Sequence, residues 1–175
     1  ICDLDGVCYY RSLDDFRWIR ERVSEGTRVV VIGAGFIGSE MAAALQTAGA
    51  HVEMVFPEES LGAAMFPQGL SKALTEKYQQ KGIEIHAGEL PERIHRRDGV
   101  LVVELRGGGS LAGDVIVAGV GIEPRVRLAE LADLEVDNGI KVNEHLQTSN
   151  PDIYAAGDIA ACHYPALNRA MRFEH

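Results

Sequence analysis

The sequence predicts an α/β fold in which a parallel sheet alternates with helices and carries an antiparallel β-meander insertion. Val29–Ile32 is a wholly apolar run, which is typical of a strand buried on both faces of a parallel sheet. Segments with helical periodicity precede and follow it. Asp98-Gly99 is instead a hairpin turn between short alternating segments. With 46% hydrophobic and 25% charged residues, the chain has the composition of a globular protein and not of a disordered one.

The first predicted elements are an extended lead-in over residues 1–11 and a helix. Ser12 is a suitable N-cap, and Asp15 three residues later completes a capping box. Apolar residues at helical spacing predict one buried stripe, and Gly26 ends the helix. The residues of this stripe are Leu13, Phe16, Ile19 and Val23.

Strands and helices then alternate along the chain. A helix over residues 39–48 follows the first strand, and His51–Phe56 is the second strand. Pro67 stands at a favoured helix start, Gly82 marks the end of that helix, and Ile83–Ala87 is the third strand. The apolar face predicted for the helix after Pro67 consists of Leu70, Ala73, Leu74 and Tyr78.

The strand pattern changes after the third strand. Leu101, Val103 and Leu105 lie at alternate positions, and three glycines from Gly107 provide a second turn, so a small antiparallel meander is expected. Basic residues before its first turn are typical of a solvated edge strand. These basic residues are Arg93, His95, Arg96 and Arg97, and later apolar runs predict strands at Val115–Ala118, Ile140–Val142 and Ile153–Ala156.

A glycine-rich loop joins the first apolar strand to the next helix. Gly33 allows a tight turn, Gly35 lets a pyrophosphate approach the backbone, and Gly38 lets the helix pack close to the strand. The helix N-terminus adds free N–H groups and a partial positive charge. The spacing therefore predicts a Rossmann-like dinucleotide site that includes Phe36 and Ile37 with the three glycines.

The residues after the second strand indicate which dinucleotide is bound. Between Val29 and Ser71 there is no Lys or Arg, so backbone groups must neutralise the phosphates. Glu58 follows the second strand at the spacing of a ribose-binding acid, which accepts hydrogen bonds from ribose hydroxyls and repels a 2′-phosphate. The neighbouring Glu59 is an alternative for this role. The pattern favours NAD(H) over NADP(H).

Charge and cysteine content exclude several classes of protein. The chain has 17 Lys and Arg against 26 Asp and Glu, a net charge of −9, which argues against nucleic acid as a partner. No apolar run approaches the roughly 20 residues of a membrane helix. Neither the histidines nor the three cysteines have metal-site spacing, and the cysteines suggest no disulfide framework. We therefore expect no metal and an intracellular, cytoplasmic location. Because the chain starts without Met, we expect it to be a fragment.

Five blocks occur in a specific order: Val30–Glu40, Phe56–Glu58, Gly119–Pro124, Ile153–Asp158 and Glu174-His175. On these blocks, the chain from about Val7 onward resembles the NADH-binding half of the FAD-dependent pyridine nucleotide-disulfide oxidoreductases. It is most similar to ferredoxin and rubredoxin reductases and to apoptosis-inducing-factor-like proteins. The resemblance implies that Gly119 and Gly121 line the nicotinamide side of the NADH site with backbone.

The resemblance also implies contacts with the flavin. Glu40 would point toward the flavin region, where the family pairs such a Glu with a Lys of the flavin domain. Asp158 would contact the ribityl chain or pyrophosphate of FAD. Glu174 and His175 would lie beside the nicotinamide and flavin rings. Glu40 and His175 are thus the expected catalytic residues, and Asp158 and Glu174 are expected to bind cofactor.

The family architecture implies three segments. Residues 1–25 would be a linker and lead-in helix, 26–124 an NADH-binding Rossmann-like domain, and 125–175 a segment returning to a mostly absent FAD-binding domain. The expected fold is therefore a Rossmann-like parallel sheet with an antiparallel β-meander insertion, plus part of a second, flavin-binding domain. Because the usual FAD-binding half is absent, this chain should not hold FAD firmly.

The function implied by the resemblance is that of an NADH-dependent flavoprotein oxidoreductase, inactive as this fragment. NADH would pass hydride to FAD, and electrons would go to a ferredoxin- or rubredoxin-type protein or to a small-molecule acceptor. The alternative is an apoptosis-inducing-factor-like redox sensor that responds to NADH. A homodimer and a mitochondrial location are compatible with both.

A remote alternative rests on the first residues of the chain. Asp3 and Asp5 with Gly6 and Val7 resemble the nucleophile motif of haloacid-dehalogenase-type phosphatases. In that chemistry, the first Asp attacks phosphorus and the second is the general acid. Such a site also needs a full buried strand before the first Asp, and only two residues precede Asp3.

Overall fold

The structure is a computed structural model that describes residues 4–172, except for the side chain of Ala166. The chain divides into two compact units, with the boundary after Gly121. In chain order, the helices and strands are β1 (Val7–Tyr9), α1 (Leu13–Arg22), β2 (Arg28–Ile32), α2 (Phe36–Thr47), β3 (His51–Phe56), α3 (Gln68–Gln80), β4 (Glu84–Ala87), β5 (Pro91–Arg97), β6 (Val100–Leu105), β7 (Ser110–Gly113), β8 (Val115–Ala118), α4 (Arg127–Leu131), β9 (Ile140–Val142), β10 (Ala160–Tyr164) and β11 (Arg169–Arg172).

The first unit is built on a five-stranded parallel sheet in the order β1-β8-β2-β3-β4. One face packs against the helices through buried residues such as Val31, Ala42 and Leu45. The other face packs against the meander through buried residues such as Ile116 and Leu101. Because both faces are covered, the central strands are apolar throughout, as the sequence predicts.

The antiparallel meander is confirmed as a separate sheet in the order β5-β6-β7. Asp98 and Gly99 have φ angles of 51° and 84°, which match the left-handed conformation that a tight hairpin turn requires. The predicted fold class, a parallel sheet with an antiparallel insertion, is therefore confirmed for the first unit.

Helix α1 begins as predicted but buries a different face. The Ser12 hydroxyl accepts from the Asp15 amide at 3.3 Å, and the Asp15 carboxylate accepts from the Ser12 amide at 2.6 Å, which confirms the capping box. Ile19 is buried, and Trp18 packs against the same core cluster. Leu13 is 61% exposed and Phe16 is 42% exposed, so the predicted stripe is wrong at its first two positions.

Helix α2 starts at Phe36, three residues earlier than predicted, so Gly38 lies inside the first turn of the helix. Helix α3 starts after Pro67 as predicted. Its inner face is more polar than expected. Ser71 is fully buried, and its hydroxyl accepts from Ser60 at 3.0 Å, whereas Leu70 is 54% exposed. The predicted apolar face of α3 is therefore wrong at Leu70 and at Ala73, which is also exposed, because a hydroxyl pair occupies part of the inner side.

The second unit contains a three-stranded sheet in the order β11-β10-β9. Ile140–Val142 is a strand as predicted, but Ile153–Ala156 is not: of these residues only Tyr154 forms an isolated bridge, to Gln147. The strands that follow it were not predicted.

The domain boundaries expected at residues 25 and 124 stay predictions. In the part of the chain described, no helix has the length and apolar character to cross a membrane.

Candidate functional site

Three glycines come together where strands β2 and β8 end. Gly33 has a φ of 108°, and a Cβ added there would overlap the carbonyl oxygen of Gly119. A Cβ on Gly38 would overlap the carbonyl oxygen of Gly33, and one on Gly119 would lie 2.7 Å from the Gly38 amide nitrogen. Helix α2 can approach the sheet this closely only because all three residues lack side chains.

Gly35 differs from the other glycines of the loop. It has an ordinary φ of −76°, and nothing lies within 4 Å of a Cβ built on it. Gly35 is the N-cap of α2 and provides no side-chain cap, and the first turn of the helix contains no acid. The first amides of the helix, which include those of Phe36 and Ile37, therefore lack a side-chain acceptor and suit an anionic ligand.

An open cavity of about 740 Å³ lies beside this loop, entirely within the first unit. Its walls come from four segments: the end of β2, the loop after β3, the start of the meander, and the end of β8. The lining residues are Tyr9, Ile32, Gly33, Ala34, Gly35, Pro57, Glu58, Leu90, Pro91, Glu92, Arg93, Ile94, Ala118, Gly119, Val120 and Gly121. This position at the carboxyl ends of parallel strands is where open α/β sheets bind ligands.

Glu58 contributes a carboxylate to the cavity. Its Oε2 is buried and has no hydrogen-bond partner among the described residues. Its backbone is fixed, because the Glu58 carbonyl accepts from the Gly88 amide at 2.9 Å. A buried carboxylate oxygen without a donor costs free energy unless a ligand supplies one, and a ribose hydroxyl is such a donor.

The neighbouring Glu59 has a different position. Its side chain is exposed, and it lines a second depression, which Glu58 shares, but not the main cavity. Of the two acids considered from sequence, the geometry supports Glu58 for the ribose. With Gly35 open to the cavity, the residues present fit a dinucleotide of the NAD type.

Arg93 is a cavity residue that the sequence analysis missed. The absence of Lys and Arg from residue 29 to residue 71 predicts a site without cationic side chains. Arg93 nevertheless lines the cavity from strand β5. The meander folds back over the sheet, so a residue far along the chain reaches the loop. The basic cluster on β5 is the signal in the sequence, but its pattern predicts a solvated edge strand.

The remaining predicted site residues lie outside this cavity or outside the described chain. Glu40 is exposed on α2. Burial of the Tyr78 phenol raises its pKa above the usual range, and the charge of Glu40 adds a smaller contribution. Asp158 lies in a short 3₁₀ turn of the second unit, where its carbonyl accepts from Arg172 at 3.0 Å. Glu174 and His175 fall outside the described residues.

The position of Asp5 contradicts the phosphatase alternative. Asp5 is exposed and precedes strand β1, and its carbonyl accepts from Arg96 at 2.6 Å. It therefore lies at the amino end of the strand, whereas a catalytic Asp of that class follows a strand. Asp3 falls outside the described residues.

Three groups capable of metal binding meet on neighbouring strands, although their sequence spacing gives no sign of it. Donor atoms of Glu53, Glu84 and His86 all lie within 4.8 Å of one another. Glu53 and Glu84 are paired in the β3–β4 register, and the His86 ring nitrogen lies 2.9 Å from the Glu53 carboxylate. The contact between Glu53 and His86 is explained without a metal, as a hydrogen bond between side chains of two neighbouring parallel strands.

Comparison with known proteins places this geometry in a family. A family model described as pyridine nucleotide-disulphide oxidoreductase matches residues 2–173. The ferredoxin–NAD(+) reductase component of the anthranilate 1,2-dioxygenase system of Burkholderia cepacia is 34% identical over 95% of this chain and 41% of its own length. Mitochondrial apoptosis-inducing factor 1 of Dictyostelium discoideum is 34% identical over 97% of this chain and 34% of its own length.

The fold of the chain is also similar to solved structures. The ferredoxin reductase for the CYP199A2 system of Rhodopseudomonas palustris superimposes with a TM-score of 0.91 at 35% identity, over 98% of this chain and 43% of that one. The chain thus spans less than half the length of the relatives it matches. With a family match over nearly its whole length, the chain belongs to the pyridine nucleotide-disulphide oxidoreductase family.

Proposed function

We propose that this chain is the NADH-binding portion of an FAD-dependent oxidoreductase. NADH occupies the cavity beside the glycine loop, with its diphosphate at the N-terminus of α2 and its adenosine ribose on Glu58. Gly119 and Gly121 line the nicotinamide side. The proposed NADH-binding residues are Gly33, Gly35, Phe36, Ile37, Gly38, Glu58, Gly119 and Gly121.

The observation that carries this proposal is the buried, unpartnered Oε2 of Glu58 in the same cavity as Gly35. A diol that donates to this oxygen removes the cost of its burial. A phosphate at the same place would face a carboxylate and be repelled. The preference for NADH over NADPH therefore follows from one side chain.

When both cofactors are bound, NADH supplies a hydride and FAD accepts it. This chain contributes by holding NADH and by orienting its nicotinamide ring. The α2 amides fix the diphosphate, and the backbone at Gly119 and Gly121 limits the position of the nicotinamide. Glu40, exposed on α2, is available to pair with a Lys of the flavin-binding segment. Asp158 is the proposed contact to the ribityl chain or pyrophosphate of FAD, and Glu174 and His175 the proposed neighbours of the two rings.

For the complete protein, we propose a ferredoxin- or rubredoxin-type protein as the electron acceptor. The similarity to two ferredoxin reductases supports this class of partner. Steady-state turnover of the full-length protein with NADH and either a ferredoxin or a rubredoxin tests the assignment. Reduction of neither protein, with rapid reduction of a quinone or oxygen instead, would contradict it.

The binding site itself is tested by titrating the chain with NADH and NADPH and following nucleotide fluorescence. We expect tighter binding of NADH. Glu58→Arg should weaken NADH binding by about 10- to 100-fold, the value of a charged hydrogen bond, and should improve NADPH binding. Glu59→Arg introduces the same charge change next to it and should leave both affinities nearly unchanged. Tighter binding of NADPH by the wild-type chain would contradict the role of Glu58.

An NADH-responsive redox sensor is the second candidate function, supported by the similarity to apoptosis-inducing factor. The two functions share the NADH site and differ in its consequence. A sensor changes its oligomeric state when NADH is added and turns over slowly with every acceptor. Sedimentation of the full-length protein with and without NADH, alongside turnover, distinguishes them.

A further inference from the structure

The charges on the cavity walls do not favour a dianion. Among residues 4–172, the charged residues lining the cavity are Glu58, Glu92 and Arg93. The chain as a whole has a net charge of −9. NADH brings two further negative charges on its diphosphate, so the surroundings repel it at long range. Among the described residues that line the cavity, Arg93 is the one cationic residue. Its position therefore bears on how the cavity could hold a dianion.

A β-bulge determines which way Arg93 faces. In the β5–β6 register, Pro91 is paired with Leu105 and Arg93 with Glu104, so one residue is inserted between them. Without that insertion Arg93 would be paired with Val103, which is fully buried. Bulges re-aim side chains and are frequent beside functional sites. This one places Arg93 on the side of the hairpin that carries Glu104, away from Val103, and Arg93 is an exposed residue of the cavity wall.

The other arginines of this hairpin already have partners. Arg96 donates to the carbonyls of Asp5 and Gly99, each at 2.6 Å. Arg97 lies 4.0 Å from the Glu104 carboxylate. Within the described residues, the side chain of Arg93 forms neither a hydrogen bond nor an ion pair, although Glu104 is its register partner. Its five N–H donors are therefore available to a ligand in the cavity.

We propose that Arg93 binds the diphosphate of the dinucleotide and supplies the positive charge that the glycine loop lacks. This inference rests on the proposed function of the cavity. Arg93 acts on a part of the molecule that NADH and NADPH share, so it sets affinity and leaves the preference between them to Glu58. A guanidinium matches phosphate oxygens well, and its attraction to them weakens as salt is added.

The test compares NADH binding by the whole chain and three variants at low and high ionic strength. Arg93→Gln should weaken binding by about 5- to 20-fold at low salt, with a smaller effect at high salt. Arg93→Lys keeps the charge and should retain most of the affinity. Arg97→Gln is the matched control from the same strand and should bind like wild type. Circular dichroism should show the same melting temperature for Arg93→Gln as for wild type, because the side chain is exposed.

Displacement of NADH by two fragments locates the contact. ADP-ribose contains the diphosphate, and Arg93→Gln should weaken it by the same factor as NADH. Adenosine lacks the diphosphate, and its affinity should not change. Equal losses for adenosine, or a loss in Arg93→Lys as large as in Arg93→Gln, would overturn the diphosphate assignment in favour of stacking on the base.

The failures of the two proposals are distinguishable. If the wild-type chain does not bind NADH, the proposed function is wrong and the role of Arg93 falls with it. If the wild-type chain binds NADH and Arg93→Gln binds it equally well at low salt, the inference about Arg93 alone is overturned.

Discussion

The two units of the chain are stabilised in different ways. In the first unit, strands such as β8 are buried at every residue, and two clusters of buried apolar residues cover both faces of the sheet. Within the described residues, neither cluster includes a residue of the second unit. There, five described apolar residues are buried outside both clusters, four of them alanines: Ala129, Leu134, Ala155, Ala160 and Ala161. Strand β11 has no buried residue among those described, and Leu128 is 83% exposed.

The second unit depends instead on turns and local hydrogen bonds. Of the five described non-glycine residues with positive φ, four lie in it: Asp133, Asn138, Leu146 and Asn168. The Asn143 side chain accepts from the amides of His145 and Gln147 at 2.9 and 3.0 Å. Such bonds each contribute little net stability. The first unit thus has a large apolar core of its own, which suits a rigid binding site. The second unit is organised mainly by its turns.

A charge buried in the first unit should have the largest effect. Val31 is fully buried, and Val31→Asp places an unpaired carboxylate in the sheet, at a cost of about 4 kcal/mol or more. Leu128→Asp, which also replaces an aliphatic residue by a carboxylate but at an exposed position of the second unit, should alter the free energy of unfolding by less than about 0.5 kcal/mol. Urea unfolding measures both, and equal losses would mean that the units do not differ as described.

Glycine substitutions separate packing from binding within the first unit. Gly38→Ala drives a methyl group into the Gly33 carbonyl and should cost about 2–4 kcal/mol of stability. Gly69→Ala, also in a helix but with nothing within 4 Å of its Cβ, is the control and should be neutral or slightly stabilising. Urea unfolding compares the two, and a Gly38→Ala chain as stable as wild type would contradict the close packing of α2.

Gly35→Ala should leave the fold intact, because φ is ordinary and the space is open. The methyl group then occupies the approach to the α2 amides, so NADH binding should weaken by about 10-fold or more. A titration of Gly35→Ala that matches wild type would show that the diphosphate lies elsewhere.

The buried thiol of Cys8 gives the first unit a pH dependence. Burial raises the pKa of Cys8 to about 11, with a smaller contribution from Asp15. Between pH 9 and 11 the unfolded chain loses this proton while the folded chain keeps it, so stability falls as pH rises, by at most about 3 kcal/mol. Cys8→Ala should lower stability at neutral pH but remove this part of the alkaline decline, as urea unfolding across that pH range would show.

The smallest effect is expected in the second unit. Asn143→Ala removes the side-chain acceptor of two turn amides and should change the free energy of global unfolding by less than about 0.5 kcal/mol. Hydrogen exchange should quicken at His145 and Gln147. Faster exchange in the sheet of the first unit would argue against the local character of this turn.

The sequence predicted the elements whose local signal is strong. The apolar run of β2 and the Asp98-Gly99 turn have few alternatives, and the Ser12 capping box lies within four residues. The inner faces of α1 and α3 were harder, because hydroxyl pairs such as Ser60–Ser71 satisfy buried positions that an apolar pattern does not predict. Leu70 faces solvent, but the apolar periodicity of the helix predicts that it is buried.

Long-range arrangement accounts for the rest. Strand β11 is exposed or half-buried along its length and has no apolar run. Strand β10 contains only the small apolar residues Ala160, Ala161 and Cys162, without the β-branched residues that indicate a strand. Ile153–Ala156 has such a run but only one bridge among the described residues. The glycine loop and Glu58 followed from spacing along one βαβ unit. The position of Arg93 at the cavity did not follow from sequence spacing, because it depends on a β-bulge and on how the meander packs.

The central claim is that NADH binds at the glycine loop and Glu58 of the first unit. Amide ¹H–¹⁵N spectra of the chain during an NADH titration test it most directly. The account predicts the largest shifts at Gly33, Gly35, Phe36 and Glu58, with saturation at one equivalent. Saturable shifts confined to residues outside the cavity walls, with these four amides unmoved, would contradict it.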